Sequence, residues 1–547
     1  MSQQPKPFLT PFDYNYIDPI TLVETRMRYY SGKIRAKPLW WEKIHDSTIA
    51  AKWRAEMVEH DRVTHDGLWG GERRFDEDDE EGHAKKWPRD PLTDAQIEYI
   101  FDELVYEASV LDPSTGIFAS AIKKAYESQS LVGGALKEKL LEAAAAFENV
   151  PDDQQDWHPG SDDQVLDLVH PSLYPVCIGH THFRSTGPQG ADPELTLLDI
   201  DKYLQARPDL KPELGHYTVS ESYQWLPTDF DVSAAGEVTA LGYINNVHPS
   251  QHRELYLPHL PSVWYDDLEV ESPRWDPKAP DFKTFGTRVR EWQRKYKWPH
   301  IPDPAPFAPP SPDGRVEFPL RGRTVQVIVK LANIHLTPDK PSYPGGSWHV
   351  EGMLNERIVS TGLYYYAMEN VTESRLAFRQ RAGGDDWGTD LPCEQDDHKG
   401  YRVAYGFGKD EALSQVLGHI VAAEDKCVAF PNVYQHRVDP FELADKTRAG
   451  YRKILALFLV DPNVRVLSTT DVPPQQRDWA IKEAGKAPRL QVLPQELFDM
   501  VADFAADGLM SREQAEEHRE SLMEERSVFV DTQNEERFEQ EFGMCEH

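Results

Sequence analysis

Apolar positions recur with two different periods along the chain. After the capping pattern Thr93-x-x-Gln96, Ile97, Phe101, Leu104 and Ala108 fall on one face of a helix, and Leu136, Leu140, Ala144 and Phe147 predict a second. From Val165 the helical spacing gives way to short β-rich runs broken by Pro, Gly and Asn: Val165 to Val169, Tyr223 to Leu226 and Val238 to Ile244. The proline-dense stretch from Trp298 to Pro312 can continue neither a helix nor a central strand, so it reads as a long surface connection. Strand-like runs follow at Thr324 to Ile334, Trp348 to Glu351, Ile358 to Tyr366, Cys427 to Phe430 and Lys453 to Val460. The last part returns to helix: Leu497, Val501 and Phe504 share a face, Gly508 ends it, and Ser511-x-x-Gln514 opens another.

Strands of unequal length with long irregular connections and few helices between them favour an α+β chain built on an antiparallel sandwich or jelly roll over a doubly wound sheet. The predicted organisation is a mostly helical region over residues 1–164, a jelly-roll core with long insertions over 165–480, and a helical tail over 481–547. No internal repeat is evident.

Composition narrows the function classes. The 547 residues carry 59 Lys and Arg against 92 Asp and Glu, a net charge of −33, so a partner bound mainly through phosphates is disfavoured. Neither nucleic acid nor an anionic membrane is expected. The six consecutive acids from Asp76 to Glu81 read as an exposed loop, because like charges at that density repel. Cys177, Cys393, Cys427 and Cys545 are scattered, which argues against a disulfide scaffold or a thiolate zinc site. With no apolar run behind a basic start and no long apolar stretch, the expected location is the cytoplasm.

Three pieces carry chemistry. In His349-Val-Glu351, at the end of the turn-rich segment Tyr343-Pro-Gly-Gly-Ser-Trp348, strand alternation would place imidazole and carboxylate on one face, although a solvated strand face explains most such pairs. His436 follows at the far end of the apolar run that begins at Cys427 and turns through Pro431-Asn432. Two imidazoles and a carboxylate on one face of a metal form the facial triad of non-haem Fe(II) oxygenases, with positions left open for a co-substrate and O2. The third piece is the strand Gly450-Tyr-Arg452-Lys-Ile-Leu-Ala-Leu-Phe-Leu-Val460, in which an inward Arg452 would share its face with Ile454, Ala456 and Phe458. A buried Arg needs a partner, either a structural acid or a bound carboxylate that it clamps bidentately.

These pieces, in this order, resemble the Fe(II)/2-oxoglutarate-dependent oxygenases, and locally their prolyl-hydroxylase-like branch. The resemblance implies a double-stranded β-helix (jelly roll) with His349, Glu351 and His436 as iron ligands and Arg452 as the clamp on 2-oxoglutarate. Tyr365, in Gly362-Leu-Tyr-Tyr-Tyr366, is similar to the tyrosine that bonds the far carboxylate of the co-substrate. Three features depart from that pattern: Glu351 stands where Asp is commoner, Arg452 follows His436 by 16 residues, and Ile454 replaces a Ser. Arg437, Arg448 and Lys453 therefore stay as alternative clamps. The implied reaction consumes 2-oxoglutarate and O2, releases succinate and CO2, and hydroxylates, desaturates or cyclises a small molecule such as an amino acid or natural-product intermediate. A non-catalytic jelly-roll binding protein and a cupin-like metal enzyme that does not use 2-oxoglutarate are the rival readings, and the oligomeric state is open.

Over nearly its whole length the chain is also similar to the mainly fungal family of domain of unknown function 4246. The phrases that carry this are Asp156-Trp-His-Pro-Gly-Ser-Asp162, Val165-Leu-Asp-Leu-Val-His-Pro-Ser-Leu173, Gln224 to Val232, Tyr243 to Pro249 and Tyr343 to Gly352. His248-x-x-x-His252 lacks the Glu of a zincin, and His180-Thr-His182 reads as packing or solvent exposure. No P-loop, no GxGxxG opening a helix after a strand and no GxSxG elbow is present. Asn245, Asn333 and Trp348 are candidates for lining a pocket.

Overall fold

In the computed structural model the described residues are 8, 10–12, 19–63, 91–185, 194–208, 216–243, 264–265, 285–289, 292, 299–300, 302–309, 320–382, 400–408, 411–506 and 508–541. The acidic run 76–81, Asn245, His248 and His252 lie outside them, as do residues 298, 301 and 310–312 of the proline-rich stretch.

Helices α1 (Leu22–Arg35), α2 (Ser47–Val63), α3 (Asp94–Val110) and α4 (Gly134–Glu148) occupy the first part of the chain. Thr93 and Gln96 form the expected reciprocal cap of α3. On α4 the predicted apolar face is only partly used: Ala144 is buried while Leu136 and Phe147 are exposed. The hairpin β1 (Phe118–Ala119) and β2 (Tyr126–Ser128) joins the edge of a nine-stranded antiparallel sheet. The other strands of that sheet are β3 (Val165–Val169), β4 (Thr228–Val232), β5 (Val238–Ala240), β6 (Arg323–Leu336), β8 (Ile358–Glu369), β11 (Cys427–Pro431) and β14 (Gly450–Val460). They run in the order β1-β2-β11-β8-β14-β6-β4-β5, with β3 also paired to β6. The short pair β7 (Ser342–Tyr343) and β13 (Phe441–Glu442) stands between β6 and β8 in the chain on one side and between β12 and β14 on the other.

A second sheet has the order β10-β9-β12, from β9 (Arg375–Arg381), β10 (Ser414–Val421) and β12 (Gln435–Val438). It faces the first. Phe378 of β9 meets Phe430 of β11 edge-on with ring centroids 5.0 Å apart, and both rings are fully buried. Together with Ile328, Tyr365 and Phe458 they belong to one apolar cluster between the sheets. Each such side chain removed from water contributes about 1.5–3 kcal/mol.

The second sheet is the part that sequence periodicity misses. β9 reads Arg-Leu-Ala-Phe-Arg-Gln-Arg, and buries Arg379 and Arg381 where a strand pattern would want apolar residues. Arg379 is satisfied by Gln435 at 2.6 Å, Asn534 at 3.0 Å and Glu539 at 3.1 Å, two of them from the C-terminal end of the chain. That end is reached through α5 (Arg477–Gly485), α6 (Gln495–Ala505) and α7 (Arg512–Gln533), the last opened by the predicted Ser511–Gln514 cap. On α6 the expected apolar face is left exposed, Phe504 most of all. α7 instead packs inward: Leu522 is fully buried in the inter-sheet cluster.

The expectation of a strand from Trp348 to Glu351 needs correction. His349 makes a single bridge with His436, and the chain then bends through Gly352, whose φ is +69°. Gly345 and Gly352 sit in the left-handed region, and a Cβ on Gly352 would meet the Ile358 side chain at 2.7 Å, so the bends on both sides of His349 hold the segment off regular pairing.

Candidate metal centre

His349 and His436 face each other because their backbones pair reciprocally, His349 N–H to His436 O at 3.2 Å and His436 N–H to His349 O at 3.0 Å. Their ring centroids are 4.5 Å apart. Glu351 reaches the same point although it does not lie on a strand. The buried side chain of Asn432, in the Pro-Asn turn after β11, accepts from Glu351 N–H at 2.8 Å and donates to Glu351 O at 2.8 Å and to Ile358 O at 3.0 Å. That clasp fixes the backbone from which the carboxylate projects. Glu351 Oε1 then lies 3.2 Å from His436 Nε2 and 3.8 Å from His349 Nε2.

One donor atom from each of the three residues falls within 4.8 Å of the other two, so the group could hold a metal ion. The lowered pKa values of Glu351 and His436 suit that, whereas a proton that Glu351 favours on His349 would have to leave as the metal bound. Burial alone would raise the Glu351 carboxyl, but hydrogen bonds and charge from His349 and His436 outweigh it and hold Glu351 below the usual carboxylate range. Burial and the His349 charge depress His436, whereas Glu351 overcomes burial at His349 and raises it. One carboxylate between two imidazoles supports a proton on only one of them. The His349 Nδ1–H donates to Ser347 O at 2.9 Å, which leaves Nε2 as the nitrogen that faces Glu351.

Arg452 sits on the inner face of β14. Cross-strand pairing with Ile334 of β6 and Met368 of β8 sets its register, and it shares that face with Ala456 and Phe458. The residue is 1% exposed, and its Nε and Nη1 have no hydrogen-bond partner among the described residues. Nη2 donates to the Tyr365 hydroxyl at 3.4 Å, and the guanidinium lies 4.9 Å from the centre of the Tyr365 ring and 5.9 Å from that of Phe441. The three alternative clamps are occupied: Arg437 pairs with Asp439 at 3.2 Å and stacks on Trp348, Arg448 pairs with Glu369 at 2.9 Å, and Lys453 pairs with Glu148 at 2.6 Å.

Among the proposed pocket residues, Trp348 adjoins the centre. Asn333 does not: it points to the opposite face of the sheet, bonding Tyr366 at 2.8 Å and Glu148 at 2.8 Å. His180 packs on His518, with ring centroids 5.2 Å apart. Sequence reasoning passed over Asn432, visible only as a turn residue, and Arg526 of α7. Arg526 lies 3.8 Å above the Trp225 ring, donates to Glu356 at 2.8 Å, and interacts electrostatically with Glu351 across the site. Nothing in the sequence near residue 526 signals this, because its partners lie far away in the chain.

No helix among the described residues is long and apolar enough to cross a membrane. Comparison with curated proteins finds no match. Solved structures that align with parts of the chain include an IDO from Bacillus thuringiensis (8% identity, 26% of this chain and 47% of that one, TM-score 0.16). A second is an Fe(II)/(alpha)ketoglutarate-dependent dioxygenase, TqaL (12% identity, 28% and 52%, TM-score 0.18). A third is a bsmA homolog from Methylobium petroleophilum (11% identity, 48% and 83%, TM-score 0.17). The chain thus spans about half the length of the first two. The family model described as "Protein of unknown function (DUF4246)" matches residues 94–260 and 264–483, and its N-terminal domain model matches residues 2–56. With well over half of its length matched, the chain belongs to the DUF4246 family.

Proposed function

We propose that the protein is an Fe(II)/2-oxoglutarate-dependent oxygenase that oxidises a C–H bond of a small molecule. The observation that carries this reading is the clustering of the His349, Glu351 and His436 donor atoms together with Arg452, a buried cation whose Nε and Nη1 have no hydrogen-bond partner among the described residues. The donor set is that of a non-haem iron facial triad, and a fork-shaped guanidinium without an acid is what a carboxylate-bearing co-substrate needs. Strand order is compatible with a jelly-roll core: β8, β14 and β6 lie side by side in the first sheet, while the consecutive strands β9 and β10 and the later β12 form the second sheet, and β7 pairs with β13 apart from both.

In this reading His349, Glu351 and His436 hold the iron, which when bound supplies O2 activation coupled to the conversion of 2-oxoglutarate to succinate and CO2. Ser347 O fixes the His349 tautomer, and Asn432 keeps Glu351 in register. Arg452 receives the far carboxylate of 2-oxoglutarate, with the Tyr365 hydroxyl beside it. Phe378 and Phe430 stand beside the His436 ring, with centroids 6.5 and 4.9 Å away, and exclude water from that side.

The test is to mix the protein with Fe(II), ascorbate and 2-oxoglutarate under air and to measure succinate. Slow uncoupled succinate is expected, absent without iron and absent from His436→Ala. If the native protein forms none, alone or with a substrate panel, or if His436→Ala turns over normally, the reading fails and the rival binding-protein or cupin-like readings take its place.

A further inference from the structure

Two sequence phrases, Asp156-Trp-His-Pro and Val165-Leu-Asp-Leu-Val-His-Pro, are not used by the metal centre, yet they build a second buried polar group. His158 Nδ1 donates to Asp167 Oδ2 at 2.7 Å, and the His158 and His170 rings lie 5.2 Å apart. His158, Asp167 and His170 resemble another two-histidine, one-carboxylate metal set, with donor atoms within 4.8 Å of one another. Their surroundings argue otherwise. His170 Nδ1 accepts the Ser172 N–H at 3.2 Å, which keeps the proton of the neutral ring on Nε2, and the charges of Lys330 and Arg519 act on the group. A dication is poorly placed between two cations and a protonated nitrogen.

The register shows where this group faces. Asp167 of β3 pairs with Ala332 of β6, and cross-strand partners share a face. Ala332 alternates with Lys330 and with Ile328, which belongs to the inter-sheet cluster, so Lys330 and Asp167 look into the same interior as Arg452. Lys330 pairs with Ala456, four residues along β14 from Arg452, or about 13 Å at about 3.3 Å per residue. A five-carbon dicarboxylate spans only roughly 5 Å, from four C–C bonds of about 1.5 Å. Lys330 is therefore too far from Arg452 to serve the same oxo acid.

Two interaction needs remain open at this end of the interior. Lys330 is half-buried and has no hydrogen-bond or ion-pair partner among the described residues, whereas Lys426, just before β11, and Lys453 of β14 meet Glu127 at 2.8 Å and Glu148 at 2.6 Å. Asp167 is 3% exposed, and its Oδ1 has no donor among the described residues. Lys330 and Asp167 make no ion pair with each other, although the Lys330 charge acts on Asp167, on His170 and on His349. A cation lacking an acceptor beside a carboxylate oxygen lacking a donor is complementary to one ligand that carries both groups on neighbouring atoms.

We propose that Lys330 and Asp167 anchor the substrate as an α-amino-acid-type zwitterion, its carboxylate on Lys330 and its ammonium on Asp167 Oδ1, with His158 and His170 holding Asp167 in place. This rests on the oxygenase reading only for the claim that the ligand is then oxidised; the binding itself does not depend on it. The side chain of the ligand would extend from this anchor toward His349, whose ring Lys330 also senses.

Calorimetry under argon on the full chain loaded with Mn(II) and 2-oxoglutarate tests it, with the twenty common L-amino acids as probes. At least one should bind, and its methyl ester and its N-acetyl derivative should each bind about 10- to 100-fold more weakly, the range expected for losing a charged hydrogen bond. Lys330→Met and Asp167→Asn should weaken that amino acid by similar factors, Lys330→Arg should recover part of the loss, and 2-oxoglutarate affinity should change less than about twofold. The proposal is overturned if no amino acid binds, if Lys330→Met binds it as the native chain does, or if Lys330→Met weakens 2-oxoglutarate equally. It is also overturned if the native chain holds two metal equivalents and His158→Ala holds one. Because no turnover is read, amino-acid binding without succinate formation would sink the oxygenase reading and leave this one standing.

Discussion

Arg452 shows how much a single residue can imply. Burying an unpaired guanidinium costs several kcal/mol, so a protein that keeps one without an acid has retained it for something other than stability. Arg452→Met should accordingly leave the metal-free protein at least as stable in urea unfolding, by about 1–3 kcal/mol, while 2-oxoglutarate affinity falls by about 100-fold. A structural Arg would give the opposite pair of results. His349, Glu351, His436 and Arg452 were legible in the sequence because their chemistry is distinctive wherever it stands. Asn432 was not: its role exists only through Glu351 and Ile358, 81 and 74 residues away in the chain.

At the scale of elements, the long central strands of the large sheet are legible, while its short strands β1, β2 and β4 and the whole of the small sheet are not. β3 was read to the residue, and β6, β8, β11 and β14 nearly so, because their apolar residues are continuous or alternate cleanly. β9, β10 and β12 carry Arg379, Arg381, His419 and Gln435, whose polarity is offset by partners or by burial that a local window cannot see. His419 yields a pH prediction. Burial, then the charges of Arg375 and Lys33, depress it from 6.5 to about 4. The unfolded chain therefore binds this proton at a pH where the folded one does not. Its contribution is constant above pH 6.5 and erodes between pH 6.5 and about 4, by at most about 1.4 kcal/mol per pH unit less solvent screening. Urea unfolding of His419→Gln at pH 7 and pH 5 should show a smaller loss of stability on acidification than the native chain.

For the whole molecule, a net charge of −33 surrounds an interior in which Arg452 is a cation without an acid partner among the described residues. The outer field repels a dianion over long range, and the Arg452 charge attracts it at contact. Salt weakens the first more than the second, since the Debye length falls from about 20 Å to about 7 Å between roughly 20 and 200 mM. Affinity for 2-oxoglutarate should therefore rise about two- to fivefold over that range in calorimetry, where a surface-bound anion would weaken.

The order and identity of the metal-type donors, the central strands of the larger sheet, the capped helices and the family are legible from the residues alone, because each depends on residue type and on neighbours within a few positions. Folding in three dimensions settles which cation lacks an acid among the described residues, that Glu351 arrives by a turn held by Asn432, that α7 brings Arg526 to the site, and that Lys330 and Asp167 face the same interior. Those depend on contacts between residues tens to hundreds of positions apart, and local periodicity carries no information about which distant partner fills a buried hydrogen bond.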